Sequence, residues 1–250
     1  MAVYGRKELS RMSIYHMKRL IDTFTEAGHP SIGFIACDEE DQGEYAKSLG
    51  IEYFRVPNKP LGVKFSKMFT HALFKETDYV CWVGSNNLHS DEYIQKCIDA
   101  LSGDKKVTFG TNKFLVANVS REHQKTCVFH TRHAMHLCSS MQFYLNYSLS
   151  RAVNFRHIYA PDQKFNFDGK INEAIVDKWN VSVVRRISSG DTDCLDLKNS
   201  ENIHSYESYM KHSPRTYPNG PTRDELGDIY PEIKLLDEGY FDSAPDKTAG

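Results

Sequence analysis

The sequence predicts an α/β fold: a mixed, mainly parallel central sheet flanked by helices. Two observations predict it. Short apolar runs alternate with helical stretches, joined by short links, across residues 2–101. The runs also end in small, polar or charged residues, as at Gly5-Arg6, Asp38 and Gly84–Asn87. Ligands of open α/β sheets bind beyond such carboxyl ends.

Ala2–Tyr4 reads as the end of a first strand, closed by Gly5 and Arg6. From Leu9 to Ala27, Leu9, Met12, Ile14, Met17, Leu20, Ile21 and Phe24 form a broad apolar stripe of helical character, ended by Gly28 and Pro30. Ser31–Ala36 is a second strand; Cys37-Asp38-Glu39-Glu40 leads into a short helix closed by Gly50. Ile51–Val56 is a third strand and Val63–Lys75 a helix. Asp78–Val83 is a strand whose apolar run, Tyr79 to Val83, suits the middle of a sheet. Ser90 is placed as an N-cap, with Asp91 and Glu92 in the first turn of a helix running to Leu101.

After Gly103 the pattern changes. Lys106–Phe109 and Phe114–Val119 read as strands around a Gly-Thr-Asn turn, and Arg132–Leu149 as helical. Ile171–Lys178 is predicted helical, Val181–Arg186 a strand, Cys194–Leu197 an edge strand and Ile203–Met210 a final helix. The division expected is one catalytic domain over 1–213, with a nucleotide-binding half over 1–103 and an acceptor half over 104–213. Residues 214–250, with five prolines and an acidic excess, are expected to form a tail or lid.

At 250 residues, 40% apolar and 26% charged, the chain has the make-up of a globular protein with one sizeable core. MAVYGRKELS carries no signal-peptide pattern and no apolar run reaches membrane-spanning length, so a cytoplasmic location and no membrane partner are expected. Six cysteines without a Cys-x-x-Cys pair point to reduced, structural thiols. Net charge is −2, unevenly spread: eight acids against three bases lie beyond Asn219, while Lys105–His136 holds six bases against Glu122 alone. That segment reads either as a face for a polyanion or as a solvated helical face. Its His130, His133 and His136 have no Glu partner in an HExxH arrangement and read as ordinary histidines. There is no Gly-x-Gly-x-x-Gly after the first strand and no P-loop.

The order of these features resembles the GT-A glycosyltransferases, which move sugar from a nucleotide donor. The resemblance covers roughly residues 2–185 and rests on Val3-Tyr4-Gly5-Arg6, Asp38, PNKPLGVKFSKMFTHAL, GSNN at 84–87 and Asp168 in FNFDG. It implies a GT-A-like fold with a Rossmann-like nucleotide-binding half and an inverting transfer from a nucleotide sugar such as a UDP-sugar. Small bacteriophage-encoded members modify hydroxymethylated DNA bases. On that likeness the acceptor expected is double-stranded DNA with modified bases, and the location the host cytoplasm.

The resemblance assigns Asp168 as the base. The donor site it implies is built from Tyr4, Gly5, Arg6, Asp38, Lys59, Lys64, Ser85, Asn86 and Asn87. Tyr4 sits at a strand end, suited to stacking on a base; Asp38 suits a nucleobase or ribose, or capping of the next helix. GSNN stands where many members carry a metal-binding Asp-x-Asp. Neutral Asn86 and Asn87 are poor ligands for a hard divalent cation. Either no Mn or Mg is needed, with Arg6, Lys59 or Lys64 stabilising the leaving diphosphate, or the metal uses Asp38, Asn87 or His204. Two other activities fit the same order: nucleotidyl transfer from a nucleoside triphosphate, and nucleic-acid binding through Lys105–Arg132 without catalysis.

Overall fold

The computed structural model describes residues 1–103, 107–118, 126–130, 141–146, 149, 184–187, 190–198, 206–212, 216–217 and 220–242. Among them the architecture is mixed α/β, with sheets flanked by seven helices. The elements run α1 (Lys7–Glu26), β1 (Phe34–Cys37), α2 (Glu40–Ser48), β2 (Glu52–Arg55), α3 (Leu61–Leu73), β3 (Tyr79–Val83), β4 (Asn87–His89) and α4 (Asp91–Leu101). There follow β5 (Thr108–Gly110), β6 (Lys113–Asn118), β7 (Thr126–His130), β8 (Met141–Leu145), β9 (Val184–Arg186) and β10 (Cys194–Lys198). Then come α5 (Tyr206–His212), β11 (Thr216–Tyr217), α6 (Arg223–Ile229) and α7 (Pro231–Asp237).

The predicted first strand survives as a short ladder. Ala2 bridges Ala36 in parallel, and Val3 N–H donates to Ala36 O at 3.0 Å. β1 pairs in parallel with β2 on its other side. The remaining strands form two mixed sheets, ordered β3-β8-β5-β9 and β11-β7-β6-β10-β4, in which β5–β9 and β6–β10 are parallel.

Two expectations after Gly103 are corrected. Met141–Leu145 is a strand between β3 and β5, not helix, with Phe143 opposite both Cys81 and Phe109. Its first four residues are all buried and Phe143 stacks on Phe109 at 4.6 Å. A run buried on both faces loses the alternation that marks a strand. Cys194–Lys198 is interior to its sheet rather than at an edge, held by β6 on one side and β4 on the other.

α1 packs its apolar stripe into the main core, with Met12 and Ile14 fully buried. A smaller cluster under α3 centres on Trp82, stacked on Phe65 at 4.9 Å and packed with Phe69. Ser90 caps α4 as predicted, accepting from Tyr93 N–H at 3.2 Å. Ser90→Ala is expected to lower stability by about 1 kcal/mol in urea unfolding, the usual loss for such a cap.

Residues 220–242 are part of the core, not a loose tail or lid. α6 opens on a capping box between Thr222 and Glu225, and α7 on Pro231. Tyr230, Ile233 and Phe241 are buried in the main cluster, and Arg11 of α1 donates to Phe241 O at 3.1 Å.

A buried polar cluster fastens this segment. Glu232 of α7 is fully buried and accepts from Arg19 Nε at 2.8 Å and from His16 Nδ1 at 2.7 Å. With Nδ1 donating, His16 Nε2 is the acceptor facing His89, 2.9 Å from Nδ1 and 3.2 Å from the backbone N–H. Arg19 also reaches Asp91 at 2.6 Å. Burial raises the Glu232 pKa, but the His16 hydrogen bond, with the charge of Arg19, outweighs it and holds the carboxyl at about 2.

Candidate functional site

Four loops meet where the N-terminal strands end: 4–6, 38–39 after β1, 56–60 after β2 and 84–86 after β3. Gly5 and Arg6 both adopt left-handed backbone, at φ 52° and 48°. Glycine does so freely; for Arg6 the conformation is unfavourable and must be held by its contacts. Arg6 donates to Ser85 Oγ at 2.8 Å, and Ser10 Oγ to Gly5 O at 2.7 Å. The loop at the start of α1 is thereby tied to the end of β3, 79 residues on.

A second tie runs through α3. Lys64 is fully buried and donates to Val3 O and, at 2.6 Å, to Asn58 Oδ1. Asn58 Nδ2 donates to Glu39 Oε1 at 2.9 Å, and Gly5 N–H to the same oxygen at 3.0 Å. The other oxygen of Glu39, Oε2, is buried without a hydrogen-bond partner. Burial pushes the Lys64 pKa down to about 8, against the charges of Glu39, Cys37 and Asp38, which raise it.

The predicted residues thus fall into three groups. Tyr4, Gly5, Arg6, Asp38, Lys59, Lys64 and Ser85 lie on this loop cluster. Tyr4 is 46% exposed, Lys59 is exposed, and Asp38 pairs with Arg55 at 3.2 Å. Asn86 and Asn87 serve the sheet instead. Asn86 donates to Asp196 and to Leu197 O, and Asn87 is buried in β4 opposite Asp196. Asp168 and His204 lie outside the described residues. So does most of the basic segment 105–136; within it, Lys113 pairs with Asp191 at 2.9 Å.

Asn86 Nδ2 is engaged with β10, and Asp196 is paired with Lys198 at 2.7 Å. Among the described residues no group of three His, Cys, Asp or Glu is placed to hold a metal. Sequence reasoning missed Glu39, Asn58, Asp196 and Lys198. Glu39 and Asn58 adjoin named candidates, Asp38 and Lys59, but side-chain direction at a loop is not readable from spacing. Asp196 reaches GSNN only through β10–β4 pairing. A cavity of about 490 Å³ lies at the opposite, amino ends of β1 and β3, lined by Phe24, Ile32, Phe34, Phe69, Trp82 and Phe143 among others. Lys75, Glu76 and Asp78 also line it, and none of the loop-cluster residues does.

No protein-family model matches the chain, and no curated protein does. Several solved structures are similar. One is the inositol-1-phosphate CTP transferase of T. maritima, at 12% identity and TM-score 0.48 over 90% of this chain and 83% of that one. Another is the 4-diphosphocytidyl-2C-methyl-D-erythritol synthase of Anaerococcus prevotii, at 13% identity and TM-score 0.45 over 84% and 88%. The glycosyltransferase expectation is corrected here: the neighbours are a CTP transferase and a diphosphocytidyl-methylerythritol synthase, names that go with the alternative set beside it, nucleotidyl transfer, and not with sugar transfer. No helix among the described residues is long and apolar enough to cross a membrane.

Proposed function

We propose that this chain is a nucleotidyltransferase. It binds a nucleoside triphosphate at the loop cluster and passes the nucleotidyl group to an acceptor, releasing pyrophosphate. The observation that carries this reading is the placement of two cations, Arg6 just before α1 and Lys64 in the first turn of α3, beside the carboxyl ends of the N-terminal strands. A triphosphate carries several negative charges, and fixed cations in a water-poor site stabilise those that develop on the leaving group. Exposed Lys59 is the third cation available there. Tyr4 offers an exposed ring for the base. Acceptor oxygen attacks the α-phosphorus, the bond to the bridging oxygen breaks, and pyrophosphate leaves. Asp168 is our candidate for the base that takes the acceptor proton.

Thermal unfolding with ATP, CTP, GTP, UTP and TTP, against their nucleosides, tests the binding. A triphosphate should raise the midpoint where its nucleoside does not. Pyrophosphate release with a panel of sugar phosphates and polyol phosphates tests the chemistry, with EDTA and Mg arms run in parallel. We expect turnover to persist in EDTA. Indifference to every triphosphate, with no pyrophosphate, rules the reading out.

A further inference from the structure

We propose that the cavity at the amino ends of β1 and β3 is a second ligand site, taking an aryl-alkyl amine with its apolar body inside and its ammonium at the mouth. The site shares no residue with the loop cluster and does not depend on nucleotide binding there.

The space is of ligand size. Its volume of about 490 Å³ falls within the range of small-molecule pockets. Protein interiors are close-packed, so a gap this large leaves its lining without contacts on one side. Water offsets little of that loss against apolar side chains, which give it no hydrogen-bond partners. Cys81 shows that the gap reaches into the protein. Its side chain lines the cavity and has free surface, yet burial pushes its thiol pKa up. Free surface on a desolvated group faces an internal space.

The wall selects the body of the ligand. Phe24 of α1, Phe69 of α3, Trp82 of β3 and Phe143 of β8 are all buried and all line the cavity. Rings brought from four elements suit an aromatic guest, which they meet edge-on or offset.

The mouth selects the head. The link from α3 to β3 places Lys75, Glu76 and Asp78 on the cavity. Lys75 is engaged with Glu52 at 2.7 Å, so its charge is balanced. Glu76 and Asp78 are exposed and add negative charge. No other Lys or Arg is among the described residues of the lining. Burial holds the Met1 amino group at about 5, so it is uncharged at neutral pH. An ammonium is attracted to such a mouth and a carboxylate repelled.

Titration calorimetry at pH 7 with 4-phenylbutylamine, 4-phenylbutanol and 4-phenylbutyrate tests this, because the three share a body and differ in the charge of the head. The amine should bind at least ~5-fold more tightly than the carboxylate, the effect of one exposed ion pair at its upper measured strength. The alcohol should fall between them. Cys81→Phe, which puts a ring into the cavity, should abolish amine binding. Glu76→Lys, at an exposed position, should narrow or reverse the preference for the amine. Saturating inorganic triphosphate should leave amine binding unchanged, since the loop cluster is elsewhere. Failure of all three compounds to bind overturns the proposal, as does equal affinity for amine and carboxylate or displacement of the amine by triphosphate. A folded Cys81→Phe protein that binds like wild type, or a Glu76→Lys protein with the full preference, overturns it too. If Cys81→Phe unfolds, Glu76→Lys and the triphosphate competition decide.

Discussion

Glu232→Ala is expected to destabilise the chain by about 3–5 kcal/mol, the range for breaking a buried ion pair from one side. The loss comes from what stays behind. Half-buried Arg19 would keep only the exposed Asp91 as a carboxylate partner, buried His16 would lose its carboxylate, and the His16–His89 contact would lose its anchor. Urea unfolding at neutral pH measures it. The pH dependence gives an independent check. The Glu232 carboxyl is held at about 2 in the folded chain, against an ordinary 4.5. A depressed carboxyl contributes stability that is present above about pH 4.5 and lost as pH falls toward 2. Over that window the wild type should lose about 3 kcal/mol through this group, and Glu232→Ala should lack that part of the acid slope. A mutant as stable as wild type would mean that α7 is held by its apolar contacts alone.

Lys64→Met should abolish measurable triphosphate binding, or weaken it by at least ~100-fold, while leaving nucleoside binding unchanged. Methionine fills similar space but donates nothing, so Val3 O and Asn58 lose their common donor and the site loses one fixed cation. The pH profile separates charge from structure. Lys64 titrates near 8, below its ordinary 10.5. Triphosphate affinity should therefore fall as pH rises through about 8. Stability should move the other way. The unfolded chain keeps this proton between about pH 8 and 10.5 while the folded chain has released it, so this group adds stability as pH rises. Calorimetric binding and thermal unfolding across pH 7–10 read the two slopes. Affinity that stays flat across that range would show that Lys64 holds the loops together without facing the phosphates.

The elements of the N-terminal half were legible because they are amphipathic and locally punctuated. The stripe on α1, the apolar run of β3 and the Ser90 cap each announce themselves within a few residues. Strand ends follow from strand positions, so counting to the ends of apolar runs places Gly5-Arg6, Asp38 and Ser85 in the loops that follow them. β8 was not legible, because burial on both faces removes the period on which strand reading depends. The C-terminal segment misled for a different reason. Its acids and prolines look like solvated tail, and only the partners of Glu232 convert one of those acids into a buried anchor.

GSNN shows the same division within the site. Gly84, Ser85 and Asn86 follow the end of β3 while Asn87 already opens β4, and spacing along the chain does not say where an amide points. Asn86 turns to β10, 110 residues away, because β10 and β4 are neighbours in a sheet that forms only on folding. What the sequence by itself determined was the alternation of strand and helix and where the loops between them fall, since both depend on local periodicity. Only the tertiary structure decided which side chains on those loops face one another: Arg6 with Ser85, Lys64 with Asn58, and Glu39 with one oxygen held and one free. Those pairings join residues 6 to 79 positions apart, and contacts between distant segments are set by how layers pack.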